Sequence, residues 1–89
     1  MAKLVQSAVC AATEMTNRGA RSDRRDTSSS GFKVLRLLDS TDIPAILVEC
    51  GYLNNSADRR KLLDPVFQNK LAAGIVTGLE SYIAGEATN

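Results

Sequence analysis

Glu49 is the residue whose position most suggests chemistry, because it directly follows the apolar run of residues 45–48 and precedes Gly51 by two positions. A carboxylate at the end of a buried strand is costly unless it has a partner or a task there. The residues alone leave two interpretations open. Glu49 is either a structural carboxylate paired with an arginine such as Arg18 or Arg36, or an acid or base that a site requires.

The other residues that commonly carry chemistry are few. The chain contains no histidine. Histidine is the commonest general base near neutral pH and the commonest zinc ligand, so neither a Ser-His-Asp nor a Cys-His arrangement can be built here. Cys10 and Cys50 have no CxxC spacing. They could pair with each other, but two small buried apolar side chains are the simpler interpretation.

Length and composition restrict the class of protein to which these residues belong. The 89 residues are enough for one small domain, and a hydrophobic fraction of 44% argues against wholesale disorder. The net charge of +1 gives no general electrostatic case for binding nucleic acid or a membrane surface. No apolar run approaches the roughly 20 residues that span a bilayer. The N-terminus lacks the leucine-rich segment of a signal peptide, so none is predicted.

Apolar periodicity predicts three helices. The first covers residues 3–16. A short second one covers residues 56–63, with Asn55 or Ser56 as its N-cap and the favourable negative charge of Asp58 in its first turn. The third begins at Pro65, with Asp64 as its N-cap. Its apolar stripe consists of Phe67, Leu71, Ile75, Leu79 and Tyr82. A core-facing helix is the simpler interpretation of that stripe, and a partner-binding face is the alternative.

Between the first two helices the pattern predicts a long loop followed by two strands. Residues 18–31 are polar, locally basic and without periodicity, which indicates either a solvated loop or one that binds an anion or a partner. Residues 31–38 alternate like a half-buried strand, and the continuous apolar run 45–50 indicates a strand buried on both faces. Since the link between them is only about six residues long, the two strands would run antiparallel.

These elements predict an α/β fold in the order α-β-β-α-α. A strand buried on both faces needs a neighbour on each side, and this chain supplies only one. We therefore expect residues 1–89 to form a single partial domain. It would belong to a larger mixed, twisted sheet flanked by helices, completed either by a missing part or by self-association.

The motif around Glu49 then points to a family. Its parts are Val34-Leu35-Arg36, Pro44, Leu47-Val48-Glu49, Gly51-Tyr52-Leu53, Asn55 and Leu62-Leu63. In this order they resemble the C-terminal part of the zinc-dependent N-acetylmuramoyl-L-alanine amidases of the Amidase_3 type. The segment 17–21 resembles the Arg-Gly segment upstream in that family. The resemblance covers about residues 3–83, and it implies that the missing part of the sheet is the N-terminal half of the domain.

The resemblance also implies a function. Family members are peptidoglycan hydrolases that cleave the amide between N-acetylmuramic acid and the L-alanine of the peptide stem. It places Glu49 at the catalytic glutamate, which would act on a water activated by zinc. Arg18 and Arg36 are candidates for binding substrate. A parent enzyme of this type, whether an endolysin or an autolysin, would act in the cell wall, outside the cell or in the periplasm. A phage lysin would reside in the host cytosol before release.

Several features depart from the family pattern. The loop between Gly19 and Phe32 is longer than usual, and Ser56 stands where a proline is common. The family holds zinc with two histidines and a glutamate from the N-terminal half, and this chain has no histidine. We therefore expect zinc in the parent enzyme but no metal site in this chain. The 89 residues by themselves should bind no catalytic zinc and should lack amidase activity.

An alternative function comes from a different class. The chain would then be a non-catalytic binding or regulatory module that pairs with a full-length amidase or with a second copy through its sheet edge. Nucleic-acid binding through the arginines of residues 18–25 is a weaker hypothesis, because that segment has no interleaved aromatic residues.

Overall fold

The computed structural model describes residues 1–21, 25–27, 31–33 and 43–86. Three helices and two short strands occupy these residues. They are α1 (Ala2–Thr13), β1 (Arg25–Thr27), β2 (Gly31–Lys33), α2 (Ser56–Leu62) and α3 (Pro65–Ile83). The three helices lie close to the predicted positions.

The predicted α/β fold, with a mixed twisted sheet flanked by helices, is wrong for the residues that the structure describes. Their only sheet is a two-stranded antiparallel ribbon that pairs Arg25 with Lys33 and Thr27 with Gly31. β1 lies inside the segment that we predicted as a loop. Three serines separate Thr27 from Gly31 in the sequence, a spacing typical of a hairpin.

The predicted second strand, residues 45–50, is not a strand. An apolar run indicates burial, but a strand also needs a neighbour that pairs with its backbone N–H and C=O groups. None of the described residues pairs with this run in a sheet. Only residues 31–33 of the predicted first strand are described, and its remainder, residues 34–38, lies outside the described residues.

Side chains and backbone groups at the helix ends explain where the helices begin and end. Asn55 caps α2 and Asp64 caps α3, the latter through a hydrogen bond from the Val66 N–H to Asp64 Oδ1 at 3.0 Å. α1 ends earlier than predicted because Glu14 adopts a left-handed conformation, φ 60°, and its N–H donates to the Cys10 carbonyl.

The core is the contact between α1 and α3. A Cβ on Gly78 would lie 2.4 Å from the Cα of Val5, and a Cβ on Gly74 would lie 2.8 Å from the Cα of Val9. The two helices are therefore antiparallel, and the glycines let their backbones approach closely. Val5 is 2% exposed and Val9 is also buried, which makes this the tightest packing among the described residues.

Phe67 extends the same core toward the start of α3. It is 7% exposed, and Thr13, which donates its hydroxyl hydrogen to the Val9 carbonyl at 2.7 Å, is buried as well. The predicted stripe on α3 is only partly correct, because Tyr82 at its end is exposed. The small residues Gly74 and Gly78, which the stripe did not include, form the closest contacts instead. No helix among the described residues is long and apolar enough to cross a membrane.

Candidate functional site

Glu49 lies in a segment whose burial alternates from one residue to the next. Ile46, Val48 and Cys50 are half-buried, whereas Leu47 and Glu49 are exposed. This period of two is typical of an extended chain with one face against the protein. The predicted burial on both faces is therefore wrong, and Glu49 does not bear the cost of a carboxylate inside a sheet.

The carboxylate of Glu49 has no ion pair or hydrogen bond to any other residue that the structure describes. Of the two arginines suggested as its partner, Arg18 contacts the Tyr52 ring and forms no described ion pair with Glu49, and Arg36 lies outside the described residues.

A sharp turn follows Glu49 at Gly51 and Tyr52. Gly51 has a φ of 155°, a backbone conformation that L-amino acids with a side chain rarely adopt, and a Cβ there would lie 3.3 Å from the Asp58 side chain. The Tyr52 N–H donates a hydrogen bond to Asp58 Oδ2 at 3.0 Å. The chain after Glu49 is therefore attached to α2.

The start of α2 reinforces this attachment. The Asp58 N–H donates to Asn55 Oδ1 at 3.0 Å, which caps the helix. The Arg59 side chain extends toward the preceding turn, where its Nη1 donates a hydrogen bond to the Leu53 carbonyl at 2.7 Å. The side chains of Asp58 and Arg59 thus hold the turn that links α2 to Glu49.

Arg18 belongs to the same cluster. The carbon at the centre of its guanidinium group lies 5.6 Å from the centre of the Tyr52 ring, within the range of a cation–π contact. Asn17, the preceding residue, stabilises the local chain because its Oδ1 accepts hydrogen bonds from the Gly19 N–H at 2.8 Å and from Gln6 Nε2 at 3.2 Å. The contact joins the segment after α1 to the turn after Glu49.

The described residues contain no group of three or more histidine, cysteine, aspartate or glutamate side chains that could hold a metal ion. Cys10 and Cys50 are both free and half-buried.

Sequence reasoning missed the connecting role of two residues. Tyr52 was noted only as part of a motif, and Asp58 only as a favourable charge in the first turn of a helix. The spacing of Asn55 and Asp58 is typical of reciprocal capping at a helix start, and it could have indicated that Asp58 also reaches back toward the preceding chain.

Comparison with known proteins gives consistent matches. Residues 1–81 match the family model Amidase_3, N-acetylmuramoyl-L-alanine amidase. The chain is 37% identical over 65 residues to the N-acetylmuramoyl-L-alanine amidase AmiC of Escherichia coli, which covers 73% of this chain and 15% of the relative. It is 33% identical over 84 residues to the probable cell wall amidase LytH of Staphylococcus epidermidis, covering 94% of this chain and 25% of the relative.

A third relative is a putative N-acetylmuramoyl-L-alanine amidase of Buchnera aphidicola, 40% identical over 51 residues, covering 57% of this chain and 22% of the relative. The chain thus spans a quarter or less of the length of these curated relatives. No solved structure matches it significantly.

Proposed function

Because this chain belongs to the N-acetylmuramoyl-L-alanine amidase family, we propose that it is the segment of a peptidoglycan amidase that supplies the general base, Glu49. The proposal rests on the exposure and the surroundings of the Glu49 carboxylate. Glu49 is exposed, has no partner among the described residues and lies two positions before a turn that is anchored to α2. A general base needs a solvent-accessible carboxylate on a fixed piece of backbone.

The chemistry gives Glu49 a defined task. Hydrolysis of an amide requires a water molecule to lose a proton as it attacks the carbonyl carbon, and the departing amine must gain one. The Glu49 carboxylate would accept the proton from the water and later donate it to the amine nitrogen. A positioned carboxylate of this kind contributes typically 10²- to 10⁴-fold to the rate.

The zinc of the parent enzyme does not fit the residues of this chain. The 89 residues include no histidine, and the described part of the chain contains no cluster of metal-binding side chains. We infer that the metal of a complete amidase is held by residues outside this chain. Glu49 would then work together with a zinc ion only when those residues are present.

Arg18 is proposed to bind the substrate. Its guanidinium group is exposed and stacked on Tyr52, and it has no hydrogen bond or ion pair to another described residue, so its N–H groups are available for a carboxylate of the peptide stem. The same role for Arg36 rests on its sequence position alone. Peptidoglycan as the substrate, and the cell wall as the place of action, follow from the family for the parent enzyme.

The test uses a hybrid in which this chain replaces the matched quarter of the Staphylococcus epidermidis cell wall amidase. The hybrid should bind zinc and hydrolyse a muropeptide at its N-acetylmuramic acid–alanine bond. Glu49→Gln should lower kcat by about 10²- to 10⁴-fold without changing zinc content. Glu80→Gln, on the exposed surface of α3, is the matched control and should leave kcat unchanged.

Two results would overturn the proposal. One is a Glu49→Gln hybrid that hydrolyses muropeptide as fast as the parent hybrid. The other is a folded, zinc-loaded hybrid that retains Glu49 and yet has no activity.

A second candidate function is favoured by a specific observation. Large apolar side chains close to Glu49 in the sequence are exposed, including Leu47 at 52% and Leu53 at 71%. Such a surface favours association with a full-length amidase or with a second copy of this chain. Sedimentation of the purified 89-residue chain distinguishes the partners. A concentration-dependent dimer favours self-association, and a monomer that co-sediments with a full-length amidase favours the regulatory module.

A further inference from the structure

The carboxylate of Asp58 contacts the turn after Glu49. Its Oδ2 accepts the hydrogen bond from the Tyr52 N–H at 3.0 Å, and its Cβ and Oδ2 would both lie 3.3 Å from a Cβ placed on Gly51. Its own N–H is held by Asn55 Oδ1 at 3.0 Å. Asp58 is half-buried, although most of α2 is exposed.

We propose that Asp58 is a positioning residue for Glu49, an inference that rests on the proposed function of Glu49 as general base. The hydrogen bond to the Tyr52 N–H holds the backbone three residues after Glu49, and it would thereby hold the backbone position from which the Glu49 side chain extends. A general base must lie within hydrogen-bond reach of its proton, and a misplacement of about 1 Å can cost on the order of 10²-fold in rate.

The same hydrogen bond also positions the substrate candidate Arg18. The guanidinium group of Arg18 is stacked on the ring of Tyr52, and the backbone of Tyr52 is held by Asp58. One carboxylate on α2 thus sets the relative positions of the proposed base and the proposed anion-binding group. Neither of these two groups touches Asp58 itself in any contact that the structure describes.

The chain offers a set of variants that separates positioning from general stability. Asp58→Ala removes the acceptor for the Tyr52 N–H, whereas Asp58→Asn keeps an oxygen at that place. Asp64→Ala is the matched control. Asp64 accepts a hydrogen bond from the Val66 N–H at 3.0 Å at the start of α3, a comparable helix cap without a hydrogen bond to the turn at Gly51.

The first measurement uses the 89-residue chain itself and follows hydrogen exchange of the Tyr52 amide by NMR. Asp58→Ala should accelerate this exchange by about tenfold, because a hydrogen bond to a charged acceptor is lost. Asp58→Asn and Asp64→Ala should leave it near the value of the unchanged chain. Equal exchange in Asp58→Ala and the unchanged chain would contradict the proposed hydrogen bond and the inference with it.

The second measurement uses the zinc-loaded hybrid. Asp58→Ala should lower kcat by on the order of 10²-fold with an unchanged zinc content, and Asp58→Asn should restore most of the loss. Asp64→Ala should leave kcat unchanged. A purely structural role predicts the opposite: Asp58→Ala and Asp64→Ala would lower stability similarly, and both folded hybrids would turn over at the normal rate.

The outcomes also separate this inference from the proposed function. If Glu49→Gln abolishes turnover while Asp58→Ala does not change kcat, only the positioning role of Asp58 is wrong. If Glu49→Gln leaves turnover intact, the general-base assignment is wrong, and the positioning inference is overturned with it.

Discussion

The helix pair and the segment around Glu49 are built in opposite ways. Where α1 crosses α3, the backbones touch, Val5 is 2% exposed and two glycines admit the neighbouring helix. Around Glu49, Leu53 is 71% exposed and a few hydrogen bonds to α2 hold the chain. The difference indicates that stability resides in the helix pair, while the proposed chemistry resides in a segment that contributes little to stability.

The largest expected effect on stability comes from filling the closest helix contact. Gly78→Leu should destabilise the chain by more than about 3 kcal/mol, because even a Cβ there would lie 2.4 Å from the Cα of Val5. Ala72→Leu, on the exposed surface of the same helix, should change the unfolding free energy by less than about 0.5 kcal/mol. Urea unfolding followed by circular dichroism measures both. Similar stabilities for the two variants would contradict the packing described for α1 and α3.

Truncation of a large apolar side chain compares the two regions directly. Phe67→Ala should cost about 3 kcal/mol because Phe67 is 7% exposed and fills the core. Leu53→Ala should cost less than about 0.5 kcal/mol because its side chain is already in solvent. Thermal unfolding of the two variants at one concentration is the measurement. A large loss for Leu53→Ala would mean that Leu53 is buried in solution, for example against a second copy.

A smaller effect is expected at the start of α2. Asn55→Ala removes the acceptor for the Asp58 N–H and should cost about 1 kcal/mol, the usual value of an N-cap. Asn55→Asp, which keeps a capping oxygen, is the control and should retain nearly full stability. Urea unfolding would contradict the described cap if Asn55→Ala were as stable as the unchanged chain.

Part of this fold could be predicted from the sequence. Asp64 followed by Pro65 indicated the start of α3, and Asn55 was one of two residues predicted to cap α2, because capping depends on residues within one turn. The sheet was predicted wrongly. The run 45–50 carries the apolar pattern of a buried strand, but the pairing of a strand depends on residues distant in sequence.

The site was also only partly predictable. The position of Glu49 in a recognisable motif could be found from the sequence, and its catalytic role remains a prediction. The cluster of Arg18, Tyr52 and Asp58 could not be found from the sequence. Arg18 and Tyr52 are 34 positions apart, and the contacts of the cluster depend on the turn at Gly51. Helix periodicity likewise did not indicate Gly74 and Gly78 as core residues, since a glycine adds no hydrophobic side chain.

Glu49 is proposed to serve catalysis and not the stability of the fold. The most direct test measures one substitution, Glu49→Gln, in two ways: by urea unfolding of the 89-residue chain and by turnover of muropeptide in the zinc-loaded hybrid. Since Glu49 is exposed and has no partner among the described residues, the unfolding free energy should change by less than about 0.5 kcal/mol. Turnover should fall by about 10²- to 10⁴-fold. A chain destabilised by more than about 1 kcal/mol, with turnover of the hybrid retained, would show instead that Glu49 is a structural carboxylate.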